Sequence, residues 1–341
     1  MSPDLRVRIG LLELSNPVGV ASGTFGYGSE YEELVDLDAL GAIYTKAVTR
    51  EPRPGNAIPR IVETPAGMLN SIGLANPGLD AFVEKKLPEL RTLRAAVFVN
   101  VAGGSEEEYL EVVERLEAAA GPWSPIAAGP AAGQAPRAGR DGSPGGDAAP
   151  EPPPRTGIDG YEINVSCPNV RHGGLAFGTD PAQVERLTAA LRSLTKRALV
   201  VKLTPNVADI ASIAKAAEAG GADAVSCINT LVGMVIDVRR RRPALAMGTG
   251  GLSGPAVRPV GVACVYKASR AVRIPVIGLG GIMCADDALQ YLLAGARAVQ
   301  VGTGTFADPR TAEKVLAGIR EWMEENGLGR VSEIPELLDS L

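Results

Sequence analysis

Gly160-Tyr161-Glu162-Ile163-Asn164-Val165-Ser166-Cys167-Pro168-Asn169 begins as a strand and ends as a polar turn. The turn carries a thiol, a hydroxyl and two further amides where the apolar run stops. Loops leaving the carboxyl ends of parallel strands are where α/β folds gather their chemistry. A cysteine there can act as an acid, a base or a nucleophile, and asparagine amides can grip a planar polar ligand. Pro168 stiffens the turn and removes one backbone donor. For an isolated cysteine, a buried and chemically silent thiol is the better reading. The surrounding chain argues against it.

Short aliphatic runs of the same kind recur at 17–21, 42–46, 96–100, 160–165, 198–203, 224–228, 275–280 and 298–302. Each leads into Gly, Asn, Ser or Lys and then a helix-like segment, such as 106–120 after the third. Several follow a helix that closes on glycine, at Gly41, Gly220-Gly221 and Gly295, which suits a left-handed cap returning the chain to a sheet. Strands so uniformly apolar are buried on both faces, as parallel strands are. Eight β-then-α units predict a (β/α)8 TIM barrel, an α/β fold forming one domain over 1–341. A doubly wound open sheet is the rival, with fewer strands and a Gly-rich first turn. Before the first unit, 7–14 alternates partly and reads as an N-terminal β-hairpin closing the barrel floor.

The chain of 341 residues is 45% hydrophobic and only 4% aromatic, with 41 Gly, which fits aliphatic strands and tight turns. A formal net charge of −5 and no basic cluster argue against nucleic acid; the run 239–242 of four arginines reads as a solvated loop. No apolar run approaches the length of a membrane span and no secretory signal opens the chain, so a cytoplasmic protein is expected. The four cysteines, Cys167, Cys227, Cys264 and Cys284, include no C-x-x-C pair, so no metal site and no disulfide framework are expected. The single histidine, His172, almost excludes a Ser-His-Asp triad. It reads as a loop residue, either beside the site or chemically idle.

Residues 121–157 stand apart. Twenty-five of these 37 residues are Gly, Pro or Ala, a composition that cannot bury enough apolar surface to offset its ordering entropy. A disordered insertion is expected there, on the amino-terminal side of the barrel.

The strand ends align into a second pattern. They supply Ser22, Lys46, Asn100, Asn164, Lys202, Asn229 with Thr230, Gly280-Gly281 and Gly302-Thr303. Lysine at two buried strand ends is costly unless an anion compensates. Glycines after the last two strands match a phosphate cradle, although tight βα turns need glycine anyway. A phosphate-bearing cofactor with a flat ring fits this set, and FMN is such a cofactor, with Lys202 near the ring edge that becomes negative on reduction.

With those residues in view, the chain resembles the class 1 dihydroorotate dehydrogenases. The resemblance is carried by 21–28, Thr45-Lys46-Ala47, Asn70-Ser71-Ile72-Gly73-Leu74, 164–169, Lys202-Leu203-Thr204-Pro205, Asn229-Thr230, Gly251-Leu252-Ser253-Gly254, Gly280-Gly281 and Gly302-Thr303. It covers nearly everything outside 121–157. It implies oxidation of (S)-dihydroorotate to orotate in de novo pyrimidine synthesis, on an FMN-binding barrel. Cys167 would be the base, taking a proton from C5 while hydride leaves C6 for the flavin. FMN would be held by Ser22, Lys46, Ala47, Asn100, Asn164 and Lys202, and further by Ile228, Gly254, Gly280, Gly281, Gly302 and Thr303. Substrate would be held by Lys46, Asn70, Ser71, Ile72, Gly73 and Leu74, with Asn164, Asn229 and Thr230; Asn169 is a further candidate.

Within the class, 58–78 resembles the NAD-linked subclass, 1B. That implies a partner subunit with FAD and a 2Fe–2S cluster, as a heterotetramer of two catalytic and two electron-transfer chains. The alternatives are a fumarate-linked class 1A enzyme, a dihydropyrimidine-type reductase and, from another class, a Schiff-base aldolase using Lys202 or Lys46 as nucleophile.

Overall fold

The computed structural model describes residues 2–123, 155–165 and 174–338. Eight parallel strands close into a barrel in chain order: Val18–Val20, Ala42–Tyr44, Ala96–Val101, Gly160–Asn164, Ala198–Leu203, Ala224–Cys227, Val276–Leu279 and Ala298–Val301. All eight expected runs are strands, and the closure rules out the open-sheet rival. The last strand pairs with the first through Val299 against Val18 and Val301 against Val20.

Helices form the outer ring, among them Glu106–Ala120, Pro181–Leu194, Ile210–Ala219, Arg258–Ala271, Ala285–Leu293 and Thr311–Glu325. Their starts are written locally. The Ser105 hydroxyl accepts from the backbone of Glu108, and Asp180 and Asp209 accept from Ala182 and Ala211. Pro181 occupies the first turn, where its missing N–H is harmless. Each helix buries an aliphatic stripe on the barrel, such as Val112, Val113 and Leu116.

The hairpin Val7–Ile9 with Leu12–Leu14 forms as expected. Its turn at Gly10, with φ near +58°, packs against Asp223 just before the sixth barrel strand. That is the amino-terminal end of the barrel. At the opposite end lies an element the sequence reading missed. Leu231–Met234, Thr249–Ser253, Gly67–Asn70 and Ile61–Thr64 form an antiparallel four-stranded sheet beside the barrel mouth. It joins the loops after the second and sixth barrel strands.

The expectation of uniformly apolar strands holds on their outer faces. Inside the barrel it fails, because Tyr44, Glu162, Ser226 and Gln300, from alternate strands, meet as one buried layer. The hydroxyl of Ser226 and the side-chain amide of Gln300 each donate to Glu162 at 3.0 Å.

Of 121–157, residues 121–123 and 155–157 are described. Fully buried Arg197, just before the fifth strand, donates to the carbonyl of Gly121 at 2.7 Å and to the Thr156 hydroxyl at 2.9 Å. It also contacts the carbonyl of Ile158 and pairs with Glu117 at 2.9 Å. Both roots of the insertion are therefore fastened to the barrel floor. The expectation of disorder for the tract itself falls largely outside the described residues.

Candidate active site

A cavity of ≈ 740 Å³ opens at the carboxyl ends of the barrel strands. All eight strands or the turns leaving them reach it. Ser22, Lys46, Ala47, Asn100, Asn164 and Lys202 line it from the first five. Ile228, Asn229, Thr230, Gly280, Gly281, Gly302 and Thr303 line it from the last three. The outer sheet and its loops close one side with Ile61, Met68, Asn70, Ile72, Gly73, Leu74, Leu252 and Ser253.

Two expected residues do not border the cavity. Ser71 is fully buried, turned into its own loop, where its backbone N–H donates to the Arg60 carbonyl and its carbonyl accepts from Asn56. Gly254 sits behind the wall, where a Cβ would fall 2.6 Å from the Cα of Gly67. Cys167, Asn169 and His172 lie outside the described residues.

The floor of the cavity is an ionic cluster. The Lys202 ammonium donates to the Ser22 hydroxyl at 3.1 Å and lies 3.5 Å from a carboxylate oxygen of Glu162. That carboxylate is fully buried and also accepts from the Asn100 amide at 2.6 Å. Burial pushes the Glu162 carboxyl up, but the charge of Lys202 and the donors Gln300, Asn100 and Ser226 outweigh it, so it stays below the usual carboxylate range. The anion that compensates Lys202 is thus, in the first place, a carboxylate of the chain itself. Burial and, secondarily, the charge of Glu162 push the Tyr44 phenol upward, so it stays protonated.

Lys46 differs. Its side chain belongs to a half-buried residue at the wall and has no ion-pair partner among the described residues. Across the mouth, the Asn229 amide donates to the Asn164 side-chain oxygen at 3.2 Å. The Tyr109 hydroxyl donates to the Asn164 carbonyl at 2.8 Å, which fixes the end of the fourth barrel strand. On the far side, the Thr303 hydroxyl donates to the Ser253 hydroxyl at 2.8 Å. Gly281 has φ near +71°, and a Cβ there would lie 2.7 Å from the Gly254 carbonyl oxygen. Only glycine makes this turn at such close backbone approach.

The arrangement can hold one flat, anionic molecule between a floor of paired charges, the Lys46 ammonium at the wall, an amide rim and a glycine-rich side. Sequence reasoning gave no site role to Glu162, Gln300 or Ser253 and did not find the outer sheet. For Glu162 the signal was present, since a carboxylate in the middle of a buried strand requires a cation nearby. For the sheet it was not, because its strands are short and mixed in polarity, and its two halves, 61–70 and 231–253, lie far apart in the chain.

Comparison with known proteins assigns the class. Residues 4–124 and 157–323 match the family model described as dihydroorotate dehydrogenase, and the chain belongs to this family of flavin-dependent oxidoreductases. The matched segments leave out 125–156, most of the insertion. More particularly, the chain is similar to proteins named dihydroorotate dehydrogenase B (NAD(+)), catalytic subunit. The one from Trichlorobacter lovleyi is 47% identical over 98% of both chains, and that from Geobacter sulfurreducens is 48% identical over 97% of both. The one from Pelobacter propionicus is 46% identical over 99% of this chain and 100% of its own. By name, those proteins are one subunit of a larger assembly. Among the described residues, no helix is long and apolar enough to cross a membrane, and no group of three His, Cys, Asp or Glu could hold a metal.

Proposed function

We propose that this chain oxidises dihydroorotate to orotate in cytoplasmic pyrimidine synthesis, working as one FMN-bearing barrel domain and passing electrons to NAD+ through a partner subunit. The observation that carries the reading is the meeting of Lys46, Asn100, Asn164, Lys202 and Asn229 with the turns 280–281 and 302–303 around one cavity.

The residues present fit FMN. The Asn100 side-chain oxygen is buried without a hydrogen-bond partner, so it calls for a donor such as a ring N–H. Lys46, without an ion-pair partner among the described residues, calls for an anion. The turn at Gly281 brings backbone close to the cavity, as a phosphate requires. Ser22, Asn100 and Lys202 would hold the ring, and 280–281 with 302–303 the phosphate. FMN supplies a hydride acceptor when bound.

The chain's own residues would do the rest. Lys46 and the Asn164–Asn229 pair would orient the carboxylate and amide edges of the pyrimidine. Loop 70–74 and the outer sheet would exclude water from one side. Cys167, three residues beyond Asn164, would remove the proton at C5. The support for that role is its place in the sequence, three residues beyond a strand end that borders the cavity.

For the acceptor, the names of the relatives support NAD+ over fumarate. A partner with FAD and a 2Fe–2S cluster, in a two-plus-two assembly, completes the proposal. The aldolase reading has less support, because Lys202 lies in an ion pair whereas such a lysine must attack as a neutral amine.

The test is a spectrum of the purified chain. A bound flavin bleached anaerobically by dihydroorotate, and not by dihydrouracil, is expected. A colourless protein that takes up no FMN would overturn the proposal. Bleaching by dihydrouracil alone would favour the reductase.

A further inference from the structure

Glu162 has no place in the reaction as described, yet among the described residues its carboxylate accepts from four side chains. It is 0% exposed and receives Asn100, Ser226 and Gln300, with Lys202 at 3.5 Å. Ser226 and Gln300 do not reach the cavity. They hold the carboxylate one layer beneath Lys202, and Lys202 in turn borders the cavity.

We propose that Glu162 is a positioning residue for the redox step: it is the fixed counter-charge of Lys202, and the net charge under the flavin is that of the pair rather than of the lysine. This rests on the flavin reading above. An uncompensated ammonium in a buried site would stabilise the reduced, anionic ring strongly and hold its electrons there. A flavin that must hand electrons on to an acceptor as weakly oxidising as a nicotinamide needs that pull moderated. A carboxylate below the lysine supplies the moderation without touching substrate or ring. The geometry favours ionised Glu162, since three neutral donors and one cation converge on it and burial alone opposes the charge. Among the described residues the other titratable group against this cluster is Tyr44, which burial keeps neutral.

The proposal fixes the sign of three substitutions. In Glu162→Gln, Lys202 keeps its Ser22 partner and loses the charge of Glu162. The equilibrium for two-electron reduction then shifts toward reduced flavin by about tenfold, or about 30 mV. Lys202→Met leaves the carboxylate alone and shifts it the other way by about the same factor. The double variant Glu162→Gln/Lys202→Met removes both charges and returns toward the wild-type value. Replacing a buried ion pair together is tolerated better than breaking it, so the double variant is informative even where a single one folds poorly.

The measurements are the midpoint potential, by anaerobic titration against a reference dye, and the dissociation constant for sulfite, whose addition to oxidised flavin tightens as nearby positive charge grows. Opposite shifts in the single variants, with reversal in the double, support the proposal. An unchanged or lowered potential in Glu162→Gln overturns it. So does a double variant that differs from wild type as much as Lys202→Met does. Wild-type chain that binds no flavin overturns the functional reading itself, a result distinct from either.

Discussion

Replacing Arg197 by Met should lower the melting temperature without harming the cavity. The side chain is fully buried at the amino-terminal end of the barrel. It donates to Glu117 at 2.9 Å, to the Thr156 hydroxyl at 2.9 Å, and to the carbonyls of Gly121 and Ile158. Methionine keeps much of the apolar stem and removes every donor. Breaking a buried ion pair by removing one partner costs about 3–5 kcal/mol. Glu117 is 23% exposed and retains hydrogen bonds from Tyr161 at 2.8 Å and Thr195 at 2.7 Å, so the lower figure of about 3 kcal/mol applies. With an unfolding entropy near 2.1 cal/mol/K per residue over roughly 300 ordered residues, this is a fall of about 5 °C. Differential scanning calorimetry of the flavin-loaded protein measures it. The initial rate of dihydroorotate oxidation at 25 °C should stay within about twofold of wild type, because the cavity is at the other end of the strands. A fall of less than about 1 °C would show that the guanidinium does not hold the floor together.

Four further outcomes follow. Cys167→Ser should keep flavin and bind orotate but lose most turnover at neutral pH, since a hydroxyl is the poorer base; equal turnover would remove Cys167 from the mechanism. Gly281→Ala should lower flavin content, because its Cβ would meet the Gly254 carbonyl at 2.7 Å and its φ is near +71°; unchanged stoichiometry on gel filtration would refute the close approach. Glu162, held below its ordinary 4.5, stabilises the fold above that pH and loses this contribution as pH falls below it. Melting curves recorded from about pH 6 to pH 3 should therefore drop less steeply in Glu162→Gln than in wild type, and parallel curves would contradict an ionised Glu162. Excising 122–154 with a short glycine bridge should leave flavin reduction intact; a folded product without it would reverse that expectation.

Much of the architecture was legible because each barrel strand is an apolar run closed by a polar or glycine residue. The run 198–203, for example, can only be a strand buried on both faces that delivers Lys202 to the mouth. The cavity residues were legible for the same reason, as strand ends converge by construction. What escaped was whatever depends on a partner far along the chain. Nothing near Glu162 indicates that Gln300, 138 residues later, will donate to it. Nothing near Gly67–Asn70 announces pairing with Thr249–Ser253. Ser71 was assigned to the cavity by its place in a motif, and the backbone turns it inward. Gly254 stands in a motif as well, yet its service is to let Gly67 and Gly281 pass close by.

The clamp at Arg197 has a consequence for how this protein can vary. Gly121 and Thr156 are stitched to a single guanidinium, so whatever chain runs between them leaves and re-enters at one pole. The entropy of closing such a detour grows only with the logarithm of its length. The pole opposite the chemistry is therefore a socket, where a tag, a tether or a whole guest domain can be spliced while the redox end keeps its shape.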